Sequence, residues 1–348
     1  MLDGIENIGV YVAHGKPVTR GIPINMIRQL IVEKSKRLSS FGDVIKKSDL
    51  RLKQLLRHVL THSGFYKKYY AEHGITLKDI ENIEIEDLPF TSKDILMKNF
   101  DEVSSDPVIN FSDIGEYIKN NNDYSLWYKN KYKIIKTSGS SGNYGVYVYD
   151  KQSWNILRAI TINRASHVRV NPFKKNKLAI IVDINGLHAG ISLMGSIPKT
   201  FYDLRIINVH ESQKTITDKL NSFQPDILTG YANSIAICAH EQLSGRLNIK
   251  PKQVSCSGEP LTNETIKIIH KVFNIPPINM YAASESICMA ISSPNCNNLH
   301  VTYDWNMIEV IDEYGSKVQE EEIGNAVLTN LYNYSFPLIR YKMNDRIS

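Results

Sequence analysis

Five short strand-like runs, Ile180 to Ile184, Arg205 to Val209, Ile227 to Tyr231, Gln253 to Ser257 and Ile278 to Tyr281, constrain the fold of this chain more than any other feature. They recur about every 25 residues, and from the second run onward each gap holds a helix-length segment. Parallel neighbours need such long crossovers, whereas antiparallel ones can be joined by a tight turn. The rhythm therefore predicts an α/β fold with multi-layered, mostly parallel sheets and helices. After Leu299 the texture changes to Val301-Thr302-Tyr303, Met307 to Asp312, Asn325 to Thr329 and Leu338 to Tyr341, with a turn at Tyr314-Gly315. These predict a smaller antiparallel β subdomain.

The residues ahead of the α/β rhythm read differently. The first 40 carry no periodic pattern and are expected to form a peripheral arm. Leu52, Leu55, Leu56, Val59 and Leu60 then recur at helical spacing, with Ser48 as the expected cap. A second helical run follows at Phe65 to Tyr70 and stops at Gly74; Leu88 to Asp94 reads as a loop entering another helix, and Asn120 to Asp123 as a loop. The expected organisation is thus a helical part over 1–130, an α/β core over 131–298 and a β subdomain over 299–348.

Composition narrows the class. With 42% hydrophobic and 22% charged residues the 348-residue chain is globular. Its net charge of +5 arises from 41 basic and 36 acidic residues scattered along the chain, which argues against a nucleic-acid stripe. No apolar run approaches the roughly 20 residues that span a bilayer. Four cysteines are too few for a disulfide framework, and no charged-then-apolar leader opens the sequence, so a cytoplasmic location is expected.

Four segments carry candidate chemistry. Thr137-Ser138-Gly139-Ser140-Ser141-Gly142-Asn143-Tyr144-Gly145 lies between two strand-like runs, Lys133 to Lys136 and Val146 to Tyr149. Its amides and hydroxyls suit polyphosphate oxygens, although a plain hairpin turn has the same composition. It is not a Walker loop, since no Lys-Ser/Thr ends it. Tyr281-Ala282-Ala283-Ser284-Glu285-Ser286 closes a strand, where ligands of open α/β sheets bind, and Glu285 is the candidate metal ligand. The alternative is a carboxylate at a helix start. Gly258-Glu259-Pro260 also follows a strand, and Gly258 admits a flat ring to the backbone. Finally, Arg340 and Asp345 near the chain end combine a phosphate-neutralising cation with an acceptor for vicinal ribose hydroxyls, or form a surface ion pair.

Taken in order, these segments resemble the adenylate-forming superfamily of acyl- and aryl-CoA ligases. Leu88-Pro89-Phe90-Thr91-Ser92-Lys93-Asp94 after Phe65-Tyr66, Phe223 to Tyr231, Leu299-His300-Val301 and Gly324 to Tyr341 are similar to its phenylacetate-CoA ligase branch. The resemblance spans about residues 48–345 and implies the large domain of such an enzyme. It implies ATP-dependent activation of a carboxylic acid as an acyl-adenylate with release of pyrophosphate, then transfer to the thiol of coenzyme A or of an acyl carrier protein. By position, Ser138, Gly139, Ser140, Ser141 and Gly142 would wrap the ATP phosphates, and Gly258, Glu259 and Pro260 would flank the adenine. Tyr281, with Ala282 and Ala283, would meet the base and the acyl group; Ser284 would lie near the phosphate; Glu285 would hold Mg2+. Asp345 would bind the ribose with Arg340 close by, and Asn185, His188, Ala189 and Tyr231 would line the acid pocket. His188 serves equally well as a satisfied core histidine.

Two departures accompany the resemblance. The phosphate loop reads Asn143-Tyr144-Gly145 where many superfamily members end in Pro-Lys. The resembling enzymes also continue into a small domain that supplies a catalytic lysine, whereas this sequence stops at Ser348, so low turnover is expected of it alone. Other readings are an acyl-protein synthetase using a cysteine and a nucleotide- or acid-binding module without turnover. A zinc site from Cys256, Cys288, Cys296 and His300 matches no standard spacing and is not expected. No G-x-S-x-G elbow supports a hydrolase.

Overall fold

The computed structural model describes residues 40–137, 144–169, 173–293 and 296–348. The peripheral arm expected over the first 40 residues falls almost wholly outside that range.

Helix α1 (Phe41–His62) starts earlier than its apolar periodicity suggests. Ser40 accepts from the Asp43 amide while the Asp43 carboxylate accepts from the Ser40 amide, a reciprocal capping box. Ser48 is buried inside the helix and donates back to the Ile45 carbonyl (2.8 Å), so it is not a cap. The first two turns bury no apolar side chain, Phe41 and Ile45 there being exposed, so the apolar stripe does not mark the start. Ser63 closes α1 and caps α2 (Gly64–Glu72), and Gly74 at φ +75° ends that run. The chain continues through β1 (Thr91–Ser92), α3 (Lys93–Lys98), α4 (Phe100–Val103) and α5 (Phe111–Asn120) to an antiparallel hairpin, β2 (Tyr132–Lys136) and β3 (Val146–Asp150).

The α/β rhythm follows: α6 (Lys151–Arg164), β4 (Asn176–Val182), α7 (Ala189–Met194), β5 (Tyr202–Asn208), α8 (Gln213–Phe223), β6 (Ile227–Tyr231), α9 (Ala232–Leu243), β7 (Gln253–Ser257), α10 (Asn263–Phe273) and β8 (Ile278–Tyr281). Strands β9 (Ala290–Ser293) and β10 (Cys296–Val301) complete a seven-stranded sheet of order β10-β9-β8-β7-β6-β4-β5. Its five strands from β5 to β8 run parallel, and β9 and β10 are antiparallel additions. The strand expected at Val301 to Tyr303 thus belongs to this sheet's edge and ends at Val301. One sheet face buries Ala179, Ile181, Leu228, Val254 and Cys256 beneath residues of α8, α9 and α10.

The remaining strands, β11 (Asn306–Ile311), β12 (Gly324–Asn330) and β13 (Tyr341–Ile347), form a second sheet of order β1-β13-β12-β11. It is antiparallel except that β1 pairs parallel to β13. Residues 338–340, expected as strand, instead turn into β13, with Arg340 at φ +46°. This sheet shares one hydrophobic core with α1, α2, the β2–β3 hairpin and α6. Asp304 ties them further, its carboxylate taking Arg164 (2.6 and 2.8 Å) and Lys47 (3.4 Å). No helix among the described residues is long and apolar enough to cross a membrane.

Candidate functional site

The connection from β4 runs outward to β5, and the one from β6 runs the opposite way to β7, so the order reverses between β4 and β6. Such a reversal opens a crevice at the strands' carboxyl ends. A cavity of about 600 Å3 lies there, reaching Asp183 after β4, Tyr231 at the end of β6, Gly258 after β7 and Ala282 to Glu285 after β8.

Glu285 sits half-buried in its wall. Tyr147 Oη donates to Glu285 Oε1 (2.7 Å), and Tyr341 Oη lies 2.8 Å from Tyr147 Oη. Tyr149 Oη donates to the Ser284 and Glu285 carbonyls (2.8 Å each), so two strands of phenols hold this turn. Burial pushes the Glu285 carboxyl above its ordinary value, opposed by the Tyr147 hydrogen bond. Burial, and next the Glu285 charge, pushes the Tyr147 hydroxyl far above the usual phenol range. No helix begins at Ser284, so the reading of Glu285 as a helix-start carboxylate does not apply.

Asp345, at an exposed position of β13, lines the cavity, and Tyr281, the last residue of β8, donates to its Oδ2 (2.7 Å). Gly258 has φ +76°, and a Cβ there would lie 3.1 Å from the Tyr231 ring. Only glycine satisfies both conditions without strain. His188 and Ala189, at the start of α7, line the same cavity.

Other sequence candidates are not brought to the cavity. Glu259 accepts from the Asn233 amide (2.8 Å) at the start of α9, Pro260 is exposed, and Asn185 is an exposed loop residue. Arg340 is buried, its Nη2 donating to Glu309 Oε1 (2.7 Å) and its Nη1 to the Glu86 and Leu88 carbonyls (2.6 Å each). That guanidinium is consumed inside the second sheet, so in this geometry it neither faces the cavity nor forms a surface pair. Ser138, Gly139, Ser140, Ser141 and Gly142 lie outside the described residues. The hairpin stem below them is described: Gly145 donates to Thr137 Oγ1 (2.8 Å), and Thr137 lines the cavity.

Several lining residues had been given no role. Lys93, in the Pro-Phe-Thr-Ser-Lys-Asp segment, reaches the cavity because β1 pairs with β13. Asp183 follows β4 and accepts from the Asn185 amide (2.9 Å). Burial raises its carboxyl, but that amide and His210 outweigh burial and hold it below its ordinary value. A carboxylate inside the otherwise apolar run Ile180 to Ile184 was the available signal for Asp183; for Tyr147 and Tyr341 the strand pattern offered none.

The cysteines converge on nothing. Cys256 is buried under the helices of one sheet face and Cys288 in the core on the other side, and burial pushes both thiols up to about 12. Among the described residues no group of three or more His, Cys, Asp or Glu side chains is arranged to hold a metal.

No family model matches the chain. Among curated proteins it is 24% identical over 336 residues to Protein CapK of Staphylococcus aureus, covering 90% of this chain and 65% of that one. It is 22% identical over 317 residues to a phenylacetate-coenzyme A ligase of Thermus thermophilus, covering 85% and 63%. A crystal structure of 2-hydroxyisobutyryl-CoA ligase in an open conformation, in complex with 2-HIB-AMP and CoA, superposes with a TM-score of 0.66 at 16% identity, covering 88% of this chain and 70% of that one. This chain has the fold of the adenylate-forming CoA ligases and resembles their phenylacetate-CoA ligase branch. It spans under two thirds of the length of the two curated relatives.

Proposed function

We propose that this chain forms the nucleotide- and acid-binding part of an enzyme that activates a carboxylic acid with ATP as an acyl-adenylate and passes the acyl group to the thiol of coenzyme A. The observation that carries the reading is the convergence of the Tyr281–Asp345 pair, the Gly258 approach against Tyr231, and half-buried Glu285 around one cavity. In this reading Asp345 accepts the ribose hydroxyls and is oriented by Tyr281. Gly258 and Tyr231 give the flat base an approach to backbone and ring. Tyr147 and Tyr341 fix the Glu285 carboxylate toward the phosphates, and Ser138 to Gly142 supply amides and hydroxyls from the hairpin tip. The acid enters past His188 and Ala189.

A single carboxylate such as Glu285 fits Mg2+, which is commonly held by one or two carboxylates plus phosphate oxygens and water. When bound it would neutralise phosphate charge. Catalysis then rests on positioning and charge complementarity, in keeping with a cavity lined by no cysteine among the described residues. That lining weighs against an acyl-cysteine route. The names of the similar ligases favour coenzyme A over a carrier protein as acceptor. The domain boundaries near residues 130 and 298, a cytoplasmic location and a lysine from a further domain belong to the same proposal.

Calorimetry with ATP and Mg2+ tests nucleotide binding by this chain, and acid-dependent ATP–pyrophosphate exchange by the full-length protein tests the reaction. Binding and exchange are expected; a folded protein that binds no nucleotide overturns the reading.

A further inference from the structure

The cavity does not stop at the strand ends. Three cross-strand rungs on the sheet face opposite α8, α9 and α10 all border it: Tyr231–Ser257–Met280, then Ile180–Thr229–Ser255, then Leu178–Ile227–Gln253. Rungs two residues apart are roughly 6.6 Å apart, so the trough runs roughly 13 Å down the strands. That is comparable with an extended decanoyl chain. Its near end is the rim that holds Tyr231, Gly258 and Glu285. Its far end is Ala165 and Ser166 after α6, Tyr202 and Gln253.

The lining is graded in a way that selects a ligand. Leu178, Ile180 and Ile227 and, from α6, α7 and the turn after it, Ile162, Leu193 and Ile197 give the trough an apolar side, while Thr229, Ser255 and Ser257 add only uncharged hydroxyls, so no charged side chain lies along it. Two of the polar groups at the far end are already spent: Gln253 donates to the Ala165 carbonyl (3.0 Å) and Ser255 Oγ (2.9 Å) and accepts from the His167 amide (2.8 Å), and the Ser166 hydroxyl donates to the Val168 carbonyl (3.2 Å). The far end, which Ser166, Tyr202 and Gln253 close, therefore offers no counter-charge. A compact acid held at the rim would leave the deeper part of this cavity unfilled, against the close packing of protein interiors.

We infer that the acid is an elongated, largely aliphatic monocarboxylic acid of about medium chain length, its carboxylate at the Glu285 rim and its tail lying along the β4–β6–β7 face to Ala165. This names the substrate class of the site proposed above and rests on that reading for the carboxylate's position.

Calorimetric titration of the chain with straight-chain carboxylates from butanoate to tetradecanoate, and with phenylacetate, in the presence of ATP and Mg2+ tests it. Affinity should rise roughly fourfold per methylene, the increment expected for burying a CH2, up to about decanoate and then level off. Phenylacetate should bind no better than hexanoate. Ala165→Phe, which fills the far end, should weaken decanoate at least tenfold and leave hexanoate unchanged. Ser255→Leu, filling the middle rung, should weaken decanoate at least tenfold and move the plateau to acids shorter than hexanoate, and serves should the first variant fold poorly. A flat series, a maximum at compact acids, no binding of any acid, or folded variants that leave the decanoate preference intact would each overturn the inference. Exchange assays separate the two layers. Compact acids that support exchange while long acids neither bind nor react sink the chain-length inference alone. Long acids that bind in the trough yet never support exchange in the full-length protein sink the activation reading alone.

Discussion

Replacing Arg340 separates a buried clamp from a phosphate-binding cation. Its guanidinium donates from Nε to both Glu309 oxygens (3.1 and 3.2 Å), from Nη2 to Oε1 (2.7 Å), and from Nη1 to the Glu86 and Leu88 carbonyls. It also stacks 4.2 Å from the Phe90 ring centroid. The two side chains are only 7% and 13% exposed, so Arg340→Met leaves Glu309 desolvated without its partner. Breaking a buried pair in that way costs about 3–5 kcal/mol. With unfolding entropy of about 2.1 cal/mol/K per residue over the ordered chain, the midpoint should fall by roughly 5–8 °C. Adding Glu309→Met should restore most of the loss, because the cost is the stranded charge and not the missing attraction. Burial already raises the Glu309 carboxyl above its ordinary value, opposed by Arg340, and removing Arg340 raises it further. A raised carboxyl favours the folded state at low pH and loses that advantage as pH rises through its folded value. The deficit of the single variant should therefore shrink in acid and be complete at neutral pH. Thermal and urea unfolding of the single and double variants, with ATP affinity measured on each, decide the matter. An Arg340→Met protein of unchanged stability that loses nucleotide binding or exchange more than tenfold would refute the clamp and return Arg340 to the phosphates.

Four further substitutions probe the cavity. Glu285→Gln should lower acid-dependent exchange by roughly 10^2 to 10^3, the scale of a lost electrostatic contact to the reacting group. Because burial raises this carboxyl, its charge opposes folding at neutral pH, so the variant should be at least as stable as wild type there, and the two should converge as pH falls below the usual carboxylate range; unchanged exchange makes Glu285 a structural residue. Asp345→Asn should weaken nucleotide binding about tenfold, on the order of 1.5 kcal/mol for a charge-assisted hydrogen bond, with Tyr281→Phe weaker in the same direction; calorimetry that shows no change removes Asp345 from the ribose site. Gly258→Ala should cost about 1–2 kcal/mol of stability from its left-handed backbone, and more in nucleotide affinity because the new methyl displaces the Tyr231 ring; wild-type behaviour in both urea unfolding and ATP titration contradicts the close-approach role.

The amino-acid sequence by itself determined the parallel core. Strands β6, β7 and β8 fall on Ile227–Tyr231, Gln253–Ser257 and Ile278–Tyr281, the limits read from the sequence, because each is a short run holding buried apolar residues such as Leu228, Val254 and Ile278. Strands β4 and β5 begin earlier than their apolar runs, at Asn176 and Tyr202, where polar residues extend the ladder by backbone pairing that composition does not record. The start of α1 was hidden for a similar reason: Ser40 and Asp43 cap turns whose side chains face water. At the site, the junctions after β7 and β8 were legible because strand ends in α/β sheets are where ligands meet backbone. Tertiary structure alone decided which charges face that crevice. Arg340 and Asp345 are near neighbours in the chain, yet Glu309, 31 residues before Arg340, holds one inside the second sheet while Tyr281 holds the other at the cavity. The trough beneath them belongs to tertiary structure as well, since a buried strand face reads the same in sequence whether a helix or open space lies against it. Alternation assigns a residue to a face, and only tertiary packing decides that a cavity, bordered by Thr161 and Ile162 of α6 and Leu193 and Met194 of α7, remains against it.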